Sequence, residues 1–205
     1  MAELRSFFVI DNLQEQLASF MASTVQGYMP VAGMANLFVE VAPGMDIVRL
    51  LDIAVKTTDV RPAIQVVERS FGTLEVHSES QANVRQAGDA VLAALDATES
   101  DRIKPRIASS TVIRKVDPYH ASLINKSRDG SMLLAGQTLF ILETQPALYA
   151  ILAANEAEKA SRVTLVDLRP FGNYGRLYLG GEEADVVVGS EAAVKALDGL
   201  NGRTD

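Results

Sequence analysis

The residues of this sequence best placed to do chemistry are an adjacent acid and base, Glu68 and Arg69. They follow an apolar, strand-like run that extends from Ile64 to Val67. The loop continues with a small residue, an aromatic residue and a glycine: Ser70, Phe71 and Gly72. An acid beside a base can pair or separate, so this loop can act as a reversible electrostatic switch, and we expect its glycine to supply backbone freedom. The plainer alternative is an exposed pair at a strand end, which contributes little to stability.

A second copy of this loop lies later in the chain and carries no charge. Its aromatic residue and glycine, Tyr174 and Gly175, match Phe71 and Gly72. Where the first copy has Glu68, Arg69 and Ser70, the second has Phe171, Gly172 and Asn173. We expect Tyr174 to pack in the core of a tight turn.

The composition argues against catalysis and against a bound cofactor. The sequence has no cysteine, which excludes disulfides, thiolate catalysis and cysteine-based metal sites. The only histidines are His77 and His120, and the neighbouring sequence offers neither of them a serine, cysteine or carboxylate partner. We interpret both as structural or surface residues. Without a nucleophile–base–orienter set or a metal cluster, we predict no catalytic residue, no metal and no cofactor.

Charge and hydropathy exclude two further classes of partner. The net charge of −7 at pH 7 argues against nucleic acid and against an anionic membrane surface. No apolar run approaches the ~20 residues that a transmembrane helix needs. The first residues, Met1 to Arg5, lack the basic region and apolar core of a signal peptide. A cytoplasmic location is therefore the default expectation.

The chain is an internal repeat. When residues 1–102 are laid on residues 104–205 without a gap, about a fifth of the positions are identical, roughly three times what composition alone gives. The matching pairs include Val9/Val112, Gly27/Gly130, Glu40/Glu143, Pro43/Pro146, Lys56/Lys159 and Gly72/Gly175. We predict two domains of one fold, residues 1–102 and 103–205. Their boundary falls in the charged run from Ala97 to Lys104.

Each copy shows the pattern of four strands and two helices. Apolar runs rich in strand formers, such as Leu37 to Val41, predict strands. An apolar face that includes Ile47, Leu51 and Ala54 predicts the first helix. Hairpin-linked strands favour an antiparallel or mixed sheet of four to five strands, with helices packed mainly on one face. The expected class is α+β, ferredoxin-like.

Two motifs stand at equivalent places in the two copies. The second copy has the strand end Leu142-Glu143-Thr144 and then the helix end Ala157-Glu158-Lys159-Ala160-Ser161-Arg162-Val163. The first copy carries the matching Glu40 and Lys56. These motifs resemble the bacterial microcompartment (BMC) shell domain. In the usual domain the short strand that resembles Val112-Ile113 comes last, whereas here it comes first in both copies. This order is similar to that of the tandem, circularly permuted, trimer-forming shell proteins, and the match is closest to carboxysome-type members.

The resemblance implies a shell tile with a gated pore. Three chains would form a pseudohexameric disc, which would tile with other shell proteins and could stack as a dimer of trimers. Glu68 and Arg69 would gate a central pore for larger or charged metabolites, transiently small anionic ones. The other residues implied at the pore are Ser70, Phe71, Gly72, Phe171, Gly172 and Asn173. Lys56 and Lys159 would make contacts at the shell edge, and the protein would lie in the shell of a cytoplasmic microcompartment.

Two other functions stay open at this point. A trimer of ferredoxin-like domains could be a regulatory protein that binds a nucleotide or metabolite between subunits. An enzyme that uses carboxylates is the weaker alternative, because no catalytic set is visible. A shell tile should form sheets or stacked discs, whereas a regulator should stay a discrete trimer and bind its ligand stoichiometrically.

Overall fold

The structure, a computed structural model of the chain, describes residues 2–204. The chain divides into two compact units. Unit 1 comprises the residues up to Lys104 together with the segment that starts at Asn201, and unit 2 comprises Pro105–Leu200. No helix within residues 2–204 is long and apolar enough to cross a membrane.

Unit 1 is a four-stranded antiparallel sheet with three helices. Its strands are β1 (Glu3–Ile10), β2 (Ala35–Ala42), β3 (Arg61–Glu68) and β4 (Phe71–Ser78). Its helices are α1 (Glu15–Thr24), α2 (Asp46–Thr57) and α3 (Gln81–Leu95). The strands lie in the order β1-β2-β4-β3, and a short 3-10 turn at Glu99–Asp101 leads into unit 2.

Unit 2 repeats this arrangement element by element. Its strands are β5 (Arg106–Ile113), β6 (Thr138–Gln145), β7 (Thr164–Arg169) and β8 (Gly175–Gly181). Its helices are α4 (Pro118–Asn125), α5 (Tyr149–Ala160) and α6 (Glu183–Asp198). The strand order is β5-β6-β8-β7. Even the irregularities recur, because β3 and β7 each carry a bulge at matching positions, between Pro62 and Ile64 and between Leu165 and Asp167.

The core of unit 1 lies between its sheet and helices α2 and α3. Because strand residues alternate between the two faces of a sheet, every second residue of β2 and β4 points to these helices. The strand residues in this core include Leu37, Val39, Val41, Leu74 and Val76, and the helix residues include Leu50, Ala54, Val84 and Val91. In unit 2, α5 and α6 pack on each other and on the sheet, and α4 packs against Leu139 and Val166. The predicted α+β class, with two four-stranded antiparallel sheets, is confirmed.

The prediction of two helices per copy is wrong, because a third helix lies between the first two strands of each unit. Four apolar residues of α1 are buried at helical spacing: Leu17, Ala18, Phe20 and Met21. Helix α4 has 8 residues, too few for periodicity alone to reveal it. Its start is marked instead by Asp117, whose carboxylate accepts the backbone N–H of Tyr119 at 2.8 Å as an N-cap.

The last described residues close onto unit 1. Backbone hydrogen bonds of 2.9 and 2.8 Å join Arg203 to Arg102 and Lys104 in the linker. The guanidinium of Arg102 is buried and donates to the carbonyl oxygen of Phe7 at 2.8 Å. The side chain of Arg203 pairs with Glu3. This C-terminal segment therefore fastens the linker to β1.

Candidate functional site

The hairpin between β3 and β4 presents the predicted acid and base on its tip. Glu68 lies opposite Phe71 in register, so Arg69 and Ser70 alone form the turn. Glu68, Arg69 and Ser70 are exposed, and the exposed fraction of the Arg69 side chain is 85%. The Nε atom of Arg69 lies 3.9 Å from Oε1 of Glu68, which is a long separation for an ion pair.

Arg69 adopts a backbone conformation that residues other than glycine seldom use. Its φ is +55°, in the left-handed region. This conformation costs about 1–2 kcal/mol, whereas an exposed ion pair contributes at most about 1 kcal/mol. The pair with Glu68 is therefore too weak to offset this backbone cost by itself, and both charged side chains are exposed to other partners.

The base of the same hairpin is held much more firmly than its tip. Nε of Arg5 donates to Oε1 of Glu40 at 2.8 Å, and both residues are buried. The guanidinium carbon of Arg5 also lies 3.8 Å from the centre of the Phe71 ring, a cation–π contact. Phe71 is thereby anchored next to the turn that carries Arg69. The recurrence of Glu40 as Glu143 points to this anchor, but nothing in the sequence marks Arg5 as its partner.

Gly72 is a glycine because a side chain would not fit at this position. The expectation that it supplies backbone freedom is wrong. Its φ is not positive. A Cβ atom at Gly72 would overlap the carbonyl oxygen of Gly44, in the turn before α2. The same close approach recurs in unit 2, where a Cβ atom at Gly175 would overlap the carbonyl oxygen of Ala147. The repeated glycine therefore lets each hairpin strand touch the turn that follows β2 or β6.

The uncharged loop of unit 2 joins β7 and β8 and is longer than the two-residue turn of unit 1. Gly172 has a φ of +94°, which favours glycine. Phe171 and Gly172 are half-buried and Asn173 is exposed. Tyr174 is 39% exposed, so the prediction that it packs in the core is wrong. The loop therefore presents this aromatic ring to the surface, whereas Phe71 at the equivalent position packs on Arg5.

Two arginines at the base of this second loop are tied down. Arg169 and Arg176 lie opposite each other in the β7–β8 register. The Arg169 guanidinium contacts Asp129 at 2.8 Å and Asp167 at 3.0 Å. Nε of Arg176 donates to Oε1 of Glu143 at 2.7 Å, and this hydrogen bond raises the pKa of Arg176 above its usual value. Both charges therefore brace the strands instead of reaching the loop tip.

The histidines differ, and one of them has a carboxylate partner that the sequence analysis missed. His120 is exposed on α4. Nδ1 of His77 lies 3.2 Å from Oε1 of Glu75, two residues away on the same face of β4, and both are buried. Asn36 donates to the same carboxylate at 2.7 Å. Burial raises the pKa of Glu75 above its usual range. The spacing of two in a strand is the signal that could have paired these side chains.

Comparison with known proteins identifies the family. Family models match residues 4–101, described as the CsoS1D N-terminal domain, and residues 138–204, described as the BMC domain. The carboxysome shell protein CcmP of Synechococcus elongatus is 52% identical over 98% of this chain and 94% of that protein. The chain belongs to the tandem BMC-domain shell proteins. Another such shell protein, CsoS1D of Hydrogenovibrio crunogenus, is 47% identical over 100% of both chains.

Two solved structures extend the match to the fold of the tandem shell proteins. The fused permuted hexameric shell protein of the RMM microcompartment is 48% identical, with a TM-score of 0.96 over 99% of this chain and 100% of that chain. The double ringed trimeric shell protein of the same microcompartment is 38% identical, with a TM-score of 0.95 over 100% of both chains. The expected permuted tandem class of shell protein is confirmed.

The two lysines predicted at the shell edge occupy equivalent places in this tandem BMC-domain protein. Lys56 lies in the last turn of α2 and Lys159 in the last turn of α5, and both are exposed. Each side chain is paired within its own helix. Nζ of Lys56 lies 2.6 Å from Asp52, and Nζ of Lys159 lies 3.7 Å from Glu156. Neither lysine belongs to the core.

Proposed function

We propose that three copies of this chain form a ring that serves as a tile in the shell of a bacterial microcompartment, with a gated pore at its centre. Membership in the tandem BMC-domain shell proteins supports the structural role. The regulatory alternative gains no support, since the relatives are named as shell proteins. The protein would act without an active site, and its partners would be copies of itself and other shell proteins.

An asymmetry between α2 and α5 supports the ring. In unit 2, Leu148 at the N-cap of α5 and Ile151 within α5 are buried within the chain. Their counterparts in unit 1, Met45 and Val48, are 69% and 42% exposed. A repeated element that is covered in one copy and bare in the other is typical of a head-to-tail interface that a further chain completes. We infer that the next chain in the ring covers this α2 face.

The first strands show the opposite asymmetry. In β1 most residues are buried, whereas the equivalent β5 is largely exposed. The recurring serine illustrates it, because Ser6 is buried and Ser109 is exposed. One chain therefore offers a bare α2 at unit 1 and a bare β5 at unit 2. Such a pair of different open surfaces is what a closed ring of identical chains needs.

The hairpin tip supports the gate. Three Glu68–Arg69 tips around one axis would alternate in sign, so they can pair across chains or turn aside. The anchored Phe71 at the base confines such a change to the tip. An anionic metabolite that binds Arg69 in competition with Glu68 would shift the balance only by its difference in affinity for the two arrangements. We propose small anionic metabolites as the molecules that pass.

Two exposed apolar loops support stacking of rings face to face. The loop before β2 exposes Met29 and Val31, and the loop before β6 exposes Met132 and Leu134 at the equivalent positions. Each of these four side chains is at least half exposed, with values of 50% to 56%. We propose that a second ring covers them, and the relative whose structure is described as double ringed supports such stacking. The variant Met29→Asp/Met132→Asp should then convert a six-chain particle into a three-chain particle in light scattering.

The ring itself is tested by the mass of the particle. Met45→Asp places a charge on the bare α2 face and should reduce the mass from three chains, or a multiple of three, to one. Val188→Asp is the matched control, because Val188 is 47% exposed on α6 and its counterpart is already charged, Arg85. Wild-type protein that stays monomeric at micromolar concentration would contradict the ring.

The gate is tested by anion conductance through a bilayer-reconstituted or tiled layer. Glu68→Ala should leave three Arg69 side chains without opposing charge, so their repulsion should favour the open arrangement and raise anion passage at low salt. High salt should reduce the difference from wild type, because salt screens the repulsion. Glu191→Ala removes an exposed carboxylate from α6 and serves as the control. Equal passage of anions in wild type and Glu68→Ala at low salt would refute the gate.

A further inference from the structure

A cavity of about 350 Å³ opens on unit 1 at the end of the β3–β4 pair that lies away from the hairpin tip. It lies where β3 begins and β4 ends, and next to the start of α3. Its polar lining includes Asp59, Arg61, His77, Glu79, Ser80 and Asn83. All of these residues come from one unit, so the cavity is complete within a single copy of the fold.

His77 forms the buried polar part of this cavity. Its side chain is 2% exposed. The Nδ1 edge of the ring faces Glu75, at 3.2 Å from Oε1. Nε2, on the other edge of the ring, makes no hydrogen bond to any residue from 2 to 204. Because the ring lines the cavity and its Nδ1 edge is occupied, Nε2 is the atom available to a bound molecule.

The buried polar cluster that contains His77 is not needed by the fold. Its members Asn36, Glu75 and His77 correspond to Leu139, Tyr178 and Gly180 in unit 2, which builds the same sheet. Burying a carboxylate and an imidazole is costly unless both are paired. Oδ1 of Asn36 is buried without any partner in the described chain. A polar cluster that is absent from the sister unit, and that is not fully satisfied, indicates a role other than folding.

The rim of the cavity carries three charged side chains that the rest of the described chain leaves unpaired. The guanidinium of Arg61 forms no ion pair within residues 2–204, and its carbon lies 5.8 Å from the centre of the Tyr28 ring. The carboxylates of Asp59 and Glu79 form no ion pair within the same range. Arg61 can grip a carboxylate through two N–H groups, and the two acids can accept from an ammonium or hydroxyl group.

We propose that this cavity binds a small zwitterion, a molecule that carries one carboxylate and one ammonium group. Its carboxylate would lie on Arg61, and its ammonium group would lie between Asp59 and Glu79. Nε2 of His77 would hydrogen-bond to a polar group on the buried side of the molecule. The volume is at the lower end of the range for small-molecule sites.

The charges favour this class over a simple anion. A phosphate or a bare carboxylate would meet Arg61 but also face two carboxylates, whose repulsion opposes it. The start of α3 adds little for an anion, because Ser80 already accepts the N–H of Asn83 at 3.3 Å. A lone amine would satisfy the acids but leave Arg61 without a partner. Only a molecule with both groups pairs all three rim charges.

The test uses the imidazole signals of the purified full-length chain, with L-serine as the probe. The chain has only two histidines, so 13C-labelled histidine gives one resonance at the cavity and one, from His120, as an internal control. L-Serine should shift the His77 resonance and leave His120 unchanged. Acetate and ethanolamine, which each carry one of the two charged groups, should bind at least about tenfold more weakly, since each loses a charge-assisted bond.

Two arginine variants complete the experiment. Arg61→Gln removes the carboxylate partner and should weaken L-serine binding at least about tenfold. Arg85→Gln, on α3 of the same unit, removes an exposed arginine that pairs with Asp11 at 2.9 Å and should leave binding unchanged. The proposal is overturned if L-serine leaves His77 unshifted at tens of millimolar, or if Arg61→Gln binds it as wild type does. Acetate or ethanolamine binding as tightly as L-serine overturns it too. None of these readouts depends on the ring or on the gate.

Discussion

The two hairpins of this chain place their charges at different positions relative to the loop: at the turn itself in unit 1, and on the strands that flank the loop in unit 2. In unit 1, Glu68 and Arg69 lie at the tip, exposed and held by no short ion pair. In unit 2, Arg169 and Arg176 lie at the base, and carboxylates hold both. The charges at the tip are exposed and make no short ion pair, whereas the charges beside the second loop brace the strands. The repeat has thus separated exposed, weakly paired charges from supporting ones.

The glutamates that brace the two sheets, Glu40 and Glu143, also differ in how far they are exposed to water. Glu40 and its partner Arg5 have side chains that are 1% and 9% exposed. The equivalent Glu143 and its partner Arg176 are 31% and 50% exposed. The same acid therefore takes partners from different strands, β1 in unit 1 and β8 in unit 2. Water screens the second pair and not the first, so the two pairs should respond very differently to mutation.

The largest expected effect comes from breaking the buried pair. Glu40→Ala leaves Arg5 buried without a carboxylate, which should lower the free energy of unfolding by about 3–5 kcal/mol. Glu143→Ala leaves Arg176 half-exposed to water and should cost less than about 1 kcal/mol. Denaturant unfolding of the two variants measures this difference. Equal losses would show that burial does not distinguish the two pairs.

A second difference between the units should appear as a pH dependence. Burial raises the pKa of Glu75 above the ordinary glutamate value of 4.5, and unit 2 has Tyr178 at this position instead. The folded state then keeps a proton that the unfolded state loses, so this stabilisation is fully present below about pH 4.5 and declines as pH rises toward the raised value. Glu75→Gln cannot ionise and should lose less stability over that window. Unfolding curves with the same pH slope in wild type and variant would contradict the shift.

Two substitutions in the turns should have smaller effects on stability, and these effects should be opposite in sign. Arg69→Gly relieves a positive φ and should raise the free energy of unfolding by up to about 1 kcal/mol, while it removes the cation proposed for the gate. Gly172→Ala introduces a side chain where φ is +94° and should lower it by a similar amount. Thermal unfolding tests both changes. If Arg69→Gly destabilises the protein, the tip charges hold the turn after all.

The smallest effect on stability is expected at the two edge lysines. Lys56→Ala and Lys159→Ala each remove an exposed pair within a helix, worth roughly 0.3–0.5 kcal/mol. If these lysines lie at the seam between tiles, each variant should form normal rings but fail to form sheets under the electron microscope. Lys195→Ala, in the last turn of α6, is the control. Normal sheets from both edge variants would exclude the edge role.

The sequence predicted the repeat, the strands and the charged tip, because each of these leaves a local pattern. Strands leave apolar runs, and the unequal tips are visible when Glu68 is laid on Phe171. The α1 helix was missed because its buried face is short and lies among polar residues. The sequence analysis expected Gly72 to supply backbone freedom, whereas a glycine is needed there because the carbonyl oxygen of Gly44 lies too close for a side chain. Gly44 belongs to a turn that is distant in sequence, so no local pattern reveals this contact.

What could not be predicted depends on partners that are distant in sequence. Glu40 recurs as Glu143, but its partner lies on β1 in unit 1 and on β8 in unit 2, and no spacing reveals that exchange. The rim of the zwitterion cavity likewise brings Asp59 and Arg61 to His77 only through the pairing of β3 with β4. Local patterns specify elements, whereas sites arise from the way in which the elements meet.

The C-terminal segment has a consequence for how the chain can be connected. Because Arg203 contacts Glu3 and is bonded to the linker, residues near the two ends of the described chain already touch. A short peptide joining residues 2 and 204 would turn the described part of the chain into a covalent circle. An unfolded circle has fewer conformations than an open chain, so the circle should refold more readily. In such a circle neither unit would come first. The order of the strands in a linear chain would then depend only on the position at which the circle is cut.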